Sequence, residues 1–207
     1  MIVPHIICNP KLTVRKDVLI KELARQGIED YKLWPSIHLP HAPSRTSISK
    51  AHKQIVEWAA DEGLEEVAIF EDDIWFPSPD GWQYFVSKKP RFYDLYLSGI
   101  TRGEMINDKV RRYTGQFGYF IHEKYYDTFL RTDEKLDIDG AQSGRGDFHV
   151  CNPFAAFCYP GWSNNQNGVM DYSHLLIGRE IHGFGLMNDK ADAKRFSDLA
   201  KSIAAEL

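Results

Sequence analysis

Glu66-Val-Ala-Ile-Phe70 runs, with no turn residue between, into Glu71-Asp72-Asp73. Consecutive apolar residues, in place of an apolar and polar alternation, predict a strand buried on both faces, and such a strand needs a sheet covered by helices. Acids at the carboxyl end of that strand stand where open α/β sheets bind their ligands. The rest of the chain follows the same plan. Val3 to Cys8 reads as a strand closed by Asn9-Pro10, and Val14 to Gln26 as a helix with Val18, Leu19, Leu23 and Ala24 on one face and Gly27 at its end. Tyr31 to Ile37 reads as a second strand, after which Pro40 and Pro43 keep His38 to Ser47 irregular. Ser47 or Ser49 is expected to cap a helix carrying Ile55, Trp58 and Ala59, closed by Gly63. Further on, Asp80 caps a short helix through Val86, Tyr93 to Ser98 and Gly118 to Ile121 read as strands, and Glu123 to Leu130 as a helix. Lys135 to Gly168 is expected to form loops with short strands, and Ala191 to Glu206 an amphipathic helix.

With 207 residues, 43% hydrophobic and 26% charged, the chain is neither disordered, collagenous nor a coiled coil, and residues 1–207 are expected to form a single catalytic domain. A chain of this length buries about 70% of its unfolded surface without a staple, so any metal would serve chemistry. The net charge of -4 argues against nucleic acid or an anionic membrane as partner and leaves a small molecule or a glycan. No apolar run approaches the roughly 20 residues of a membrane span. The start, MIVPHIICNP, lacks the pattern of a signal peptide, so the expected location is cytoplasmic. Cys8, Cys151 and Cys158 have no CxxC spacing and read as reduced, mostly buried thiols.

The acids after the central strand carry the most chemistry. In an extended chain Glu71 and Asp73 project to one side and Asp72 to the other. Like charges brought together need a cation or donors to offset them, and hard divalent ions prefer carboxylate oxygen. Glu71 and Asp73 are thus candidate ligands for a metal that holds a diphosphate, against the plainer reading of a solvated turn whose acids cap the next element.

Ser49-Lys-Ala-His52, with Trp58 in the same helix, followed by Val-Ala-Ile-Phe-Glu71-Asp72-Asp73-Ile, resembles the S-H-x-x-x-W helix and I-x-E-D-D-v strand of the family 25 glycosyltransferases, which include lipopolysaccharide-type galactosyltransferases. Asp94-Leu-Tyr-Leu97 resembles the family's D-x-x-x-L strand, and Thr114-Gly115 with Gly118-Tyr119-Phe-Ile121 its g-t-x-G-Y-x-i segment. The likeness runs from Val3 to about Leu130. It departs at Ala51, where the family usually has serine, and in the opening turn, where Asn9, Arg15 and Lys16 only echo an Asp-Arg-Arg-like pattern.

The resemblance implies a GT-A architecture, a Rossmann-like α/β/α sandwich, using Mn²⁺ or Mg²⁺ and a UDP-sugar as donor. The reaction implied is transfer of a hexose, galactose or glucose, to a hydroxyl of a glycan or glycoconjugate, with inversion. Asp73 would hold the metal, with Glu71 or Asp72 contacting the ribose or assisting the metal. Asn9, Arg15 and His52 would reach the donor, although an arginine at a helix start usually faces solvent and a lone histidine on an amphipathic helix is usually part of the packing. Inversion needs a separate base, and the resemblance loosely puts an acid near Asp139, with Asp137 and Asp147 as alternatives. Aspartates beside Gly140 and Gly146 also read simply as turn formers.

Trp162 to Gly168 offers an aromatic face and amides to an acceptor sugar, or is an ordinary amide-rich turn. Trp34, Trp75 and Trp82 are expected in packing, and His174 and His182 are outlying candidates for a metal shell. Two other functions fit the pattern: a catalytically silent sugar-binding module, and a metal-dependent phosphotransferase or nucleotidyltransferase, the latter without a GxxxxGK[ST] loop to support it.

Overall fold

The apolar strand around Ile69 lies inside a sheet, as its composition requires. The computed structural model describes residues 2–163 and 167–206, and for Trp162 the backbone alone. In chain order the first elements are β1 (Pro4–Cys8), α1 (Thr13–Arg25), β2 (Lys32–Pro35), α2 (Ser44–Asp61), β3 (Glu66–Glu71), β4 (Ile74–Trp75) and α3 (Gly81–Ser87). The middle of the chain forms β5 (Leu95–Leu97), β6 (Ile100–Ile106), β7 (Lys109–Gln116), β8 (Gly118–His122), α4 (Glu123–Leu130), α5 (Ile138–Gln142) and β9 (Phe148–Val150). The short pairs β10 (Phe157–Cys158), β11 (Gly161–Ser163), β12 (Gly168–Met170), β13 (Glu180–Ile181) and β14 (Gly185–Leu186) lead to α6 (Lys190–Glu206).

The main sheet has the order β2-β1-β3-β8-β5-β9-β7-β6. Strands β2, β1 and β3 are parallel, with Ile6 registered against both Leu33 and Phe70. Strand β8 runs antiparallel between β3 and β5, with Tyr119 opposite Ile69 and Leu97. Ala68, Ile69 and Phe70 are fully buried, which is why the central strand carries no polar residue before Glu71. The alternation of side chains sends Phe70 and Phe120 towards Trp82 of α3, and Tyr119 towards His52 of α2 and Phe129 of α4. Helix α1 joins the α3 side, where the buried Glu22 accepts from the Phe76 N–H and Gln26 accepts from the Trp82 N–H. Helices thus cover both faces, and the expected α/β sandwich is the architecture found. Gly118 lies so close to Phe70 that a Cβ there would come within 2.4 Å of the ring, so the β3–β8 contact requires glycine.

Several expectations need correction. Helix α2 starts at Ser44, behind Pro43 at its N-cap; Ser47 and Ser49 lie inside it and are buried. Proline before the first turn starts the helix earlier than a serine cap would, since its missing N–H is not needed there. Asp80 does occupy the N-cap of α3, but its carboxylate bonds Ser78 and His182 rather than a helix N–H. The sequence reading had no strands between Ser98 and Gly118, where β6 and β7 form a hairpin closed by Asn107-Asp108, with Asn107 at φ 58°. Asp139, expected in a loop, sits in the short helix α5. The three cysteines are free thiols, Cys8 and Cys151 buried, as expected. Trp75 and Trp82 are packed in the core, and Trp34 stacks on His5. Among the described residues no helix is long and apolar enough to cross a membrane.

Candidate active site

Strand β3 delivers Glu71 at the carboxyl edge of the sheet, and the chain turns immediately after it. That turn undoes the simple alternation expected of Glu71-Asp72-Asp73. Asp72 and Asp73 meet on one arginine: Arg15 Nη2 is 2.6 Å from Asp72 Oδ1 and 3.0 Å from Asp73 Oδ2. Glu71 faces α2 instead, with Oε1 3.4 Å from His52 Nε2. That distance is an ion-pair contact without hydrogen-bond geometry, and Nε2 has no hydrogen-bond partner among the described residues. His52 Nδ1 lies 2.8 Å from the Tyr119 hydroxyl. The Asn9 N–H donates to Asp72 Oδ2 at 3.1 Å, while the Asn9 side chain accepts from the Lys11 N–H and shapes the turn between β1 and α1. Arg15 is therefore not the solvated surface charge that its place at a helix start suggests.

Two carboxylates share one guanidinium and a third stands close by, and their titration reflects burial first and these charges second. Burial pushes the Asp73 carboxyl upward most; Arg15 opposes this, and the charges of Glu71 and Asp72 raise it again, to about 7. A third of the Asp73 side chain remains exposed, so water screens part of that repulsion. Asp72 is also raised, chiefly by burial. Burial alone would raise Glu71 too, but the contact with His52 and the charge of Arg15 hold it below the usual carboxylate range. The Cys158 thiol in the same cleft is held well above its ordinary value by burial and by Asp73 and Glu71, so it is no thiolate nucleophile.

These residues line one cleft of about 1110 Å³. Small-molecule sites usually run from about 300 to 1,000 Å³, so this volume has room for a nucleotide-sugar together with part of a second substrate. Asn9, Arg15, His52, Glu71, Asp72 and Asp73 form one wall. The same cleft is lined by Thr101, Arg102, Thr114 and Gln116 of the β6–β7 hairpin, with Asp137 and Asp139 from the start of α5. Asp139 is fixed from two sides: Oδ2 accepts from the Gly115 N–H at 2.5 Å and Oδ1 from the Gly140 N–H at 2.7 Å. Gly115 takes φ 69°, where a side chain would also collide with Thr101, so the glycine is required for this hold. Burial raises the Asp139 carboxyl against these donors, which makes it a stronger base than a free aspartate.

The remaining candidates divide cleanly. Asp147 lies outside the cleft, paired with Lys109 at 2.8 Å and with His149 at 3.5 Å. His182 is also outside, stacked on Tyr84 and bonded to Asp80. His174 lines the cleft, with Nδ1 3.1 Å from the Asp171 carbonyl. Of the Trp162 to Gly168 segment, Ser163 lines the cleft; the Trp162 side chain and Asn164, Asn165 and Gln166 lie outside the described residues. Sequence reasoning missed a role for Tyr119 and the whole hairpin wall. The signal for the first was the register of a Gly-Tyr strand beside β3, and for the second the two-residue Asn-Asp loop between polar strands.

No family model matches the sequence, and no curated protein matches it. Solved structures do. A197 from STIV superposes with a TM-score of 0.51 at 15% identity, over 82% of this chain and 93% of that one. The two share a fold. HddC from Yersinia pseudotuberculosis, complexed with GMP-PN, gives 0.46 at 13% identity, over 72% of this chain and 89% of that one. A mutant Drosophila β1,4-galactosyltransferase 7 complexed with manganese, UDP-Gal and xylobiose gives 0.43 at 9% identity, over 72% and 65%.

Whether a divalent cation suits this donor set is decided by charge. Among the described residues no group of three or more His, Cys, Asp or Glu side chains is placed to hold a metal ion by itself. Mg²⁺ and ions like it do not need one, since they are commonly held by one or two carboxylates together with substrate phosphate oxygens. Burial raises the Asp72 and Asp73 carboxyls, and the charge of Arg15 does not fully offset it. Asp73 and Glu71 line the same cleft and would each offer an oxygen to a hard cation completed by substrate oxygens, with Arg15 now covering the Asp73 oxygen that such a cation would take.

Proposed function

We propose that the chain is a metal-dependent glycosyltransferase of GT-A type that moves a hexose from a UDP-sugar to a hydroxyl of a glycan or glycoconjugate, with inversion. The observation that carries this reading is the placement of the Glu71-Asp72-Asp73 acids, at the end of β3, in the same large cleft as a second, separately held carboxylate, Asp139. Transfer with inversion needs two such centres on opposite sides of the reacting carbon, one for the leaving diphosphate and one for the attacking hydroxyl. The resemblance of the β3 segment and of the Gly118-Tyr119 strand to the family 25 enzymes supports the choice of donor.

Glu71 and Asp73 would hold the metal, which supplies positive charge to the departing diphosphate. Arg15 turns from Asp73 towards the phosphate oxygens and keeps Asp72 as its partner. Asn9 fixes the loop at the end of β1 through its backbone bond to Asp72, so the floor under the phosphates is preformed. Asp139 takes the acceptor proton; its two backbone donors aim the carboxylate, and each oxygen retains a lone pair for that proton. Thr101, Thr114 and Gln116 line the same wall and offer hydroxyls and an amide to the acceptor sugar.

Thermal unfolding with UDP alone, Mn²⁺ alone and both together tests the reading. The pair is expected to raise the midpoint by more than the two separate shifts combined, because metal and diphosphate each complete the other's site. Separate shifts that simply add would contradict a shared site.

A further inference from the structure

Tyr119 is 1% exposed and projects from β8 on the same face of the sheet as Glu71, since it is registered against Ile69, two residues before Glu71. Its hydroxyl lies 2.8 Å from His52 Nδ1, and the two rings stack at 5.7 Å with 19° between their planes. His52 is itself 1% exposed, and its far nitrogen lies 3.4 Å from Glu71 Oε1. The three side chains form a line running from the middle of the sheet to the cleft. Glu71 is the most exposed member and, with the edge of His52, lines the cleft.

We propose that Tyr119 is a positioning residue: its phenol holds His52 in the tautomer with the proton on Nε2, so that this N–H faces Glu71 and directs its carboxylate into the cleft. The neutral ring has two arrangements of its proton. With the proton on Nε2, the phenol donates to the bare Nδ1, and the Nε2–H meets the negative oxygen of Glu71. With the proton on Nδ1, that N–H donates to the phenol oxygen and the phenol's own hydrogen has no acceptor among the described residues, while the bare lone pair of Nε2 lies beside a carboxylate. Each arrangement leaves one buried hydrogen without a full hydrogen bond, but the second also sets two electron-rich groups against each other, so the first is favoured by the charge of Glu71. Burial and the charge of Glu71 keep the phenol protonated, which leaves it able to serve only as a neutral donor to the ring. Partners of this kind behind a metal-holding side chain commonly change metal affinity by about 10- to 100-fold when removed.

The effect on metal binding rests on the transferase reading; the tautomer does not, and the test separates them. The full chain, labelled with ¹⁵N in its histidines and free of ligand, is studied by long-range proton–nitrogen NMR at about pH 8, above the ordinary histidine range. The His52 signals are those missing from His52→Gln. The expected result is a protonated Nε2 and a bare Nδ1 in the wild type, and a mixture of tautomers in Tyr119→Phe. A proton on Nδ1 in the wild type overturns the proposal, whether or not the variant folds, and an unchanged tautomer in a folded Tyr119→Phe does the same. Titration of Mn²⁺ in the presence of UDP is then expected to show roughly tenfold weaker binding in Tyr119→Phe at an unchanged melting midpoint. Equal affinities would contradict the positioning role. No Mn²⁺ binding by the wild type would refute the metal reading, with the spectra still deciding the part played by Tyr119.

Discussion

The guanidinium of Arg15, carried on α1, stands 3.0 Å from the Asp73 carboxylate that follows β3. This contact joins the first helix to the acidic end of the central strand, and it places side by side the two charges that the halves of a metal–diphosphate ligand would separate. Under the proposed function a cation would take Asp73 and a phosphate Arg15, each replacing one partner of the ion pair.

Replacing Arg15 by Met removes the one arginine shared by Asp72 and Asp73. At pH 8 the variant is expected to lose about 2 kcal/mol, less than for a fully buried pair because roughly a quarter of the Arg15 side chain meets water. Mn²⁺ is expected to restore part of this loss. Melting curves with and without Mn²⁺ measure both effects, and a variant as stable as the wild type in the absence of metal would contradict the account of the charge surplus.

Asp73→Asn is expected to act in the opposite sense. The folded Asp73 carboxyl titrates near 7, above its unfolded value of 3.8, so between those values the folded state binds more protons and stability falls as pH rises. Above about pH 7 the wild type carries the full penalty, and below about pH 4 it carries none. Discounted for the exposed third of the side chain, the penalty is about 1 kcal/mol. Asp73→Asn should therefore melt about 3 °C higher than the wild type at pH 8 and equally at pH 4. A variant that melts lower at pH 8 would show that the pair with Arg15 outweighs the repulsion.

The sandwich could be read from the sequence because its deciding segments are strongly patterned. Val67 to Phe70 admits no exposed face, and Val18, Leu19, Leu23 and Gly27 mark a helix and its end. The β6–β7 hairpin escaped notice because Arg102, Glu104, Lys109, Arg111 and Arg112 make it polar, and its apolar side chains serve only one face. Helix α5 is too short to show a period and contains Gly140, so Asp139 read as a loop residue. Within the site, the acids and Arg15 were visible as residue types. Their pairing was not, since it depends on a turn after Glu71 that brings Asp73 to the side of Asp72. Tyr119 stood inside a recognisable strand, but its link to His52 arises from the β3–β8 register, which adjacent residues do not encode.

Asp139→Asn is expected to lower the rate of sugar transfer by about a hundredfold, the usual scale for loss of a general base, while nucleotide binding persists. The asparagine oxygen can keep one of the two backbone donors, so the cost in stability is about 1 kcal/mol. Transfer rates with acceptor and titration with UDP in the presence of Mn²⁺ provide the two readouts. Asp137→Asn provides the comparison within the cleft. Full transfer by Asp139→Asn together with loss in Asp137→Asn would move the role to Asp137.

The central claim is that the acids after β3 hold a metal for transfer from a nucleotide-sugar, and release of nucleoside diphosphate tests it most directly. Wild type and Asp73→Asn are incubated with a panel of nucleotide-sugars, with Mn²⁺ and with chelator, and the released diphosphate is quantified. The account predicts release from a UDP-sugar by the wild type that depends on Mn²⁺ and falls at least a hundredfold in Asp73→Asn. Release of equal rate in both proteins, or none from any nucleotide-sugar by the folded wild type, would contradict it.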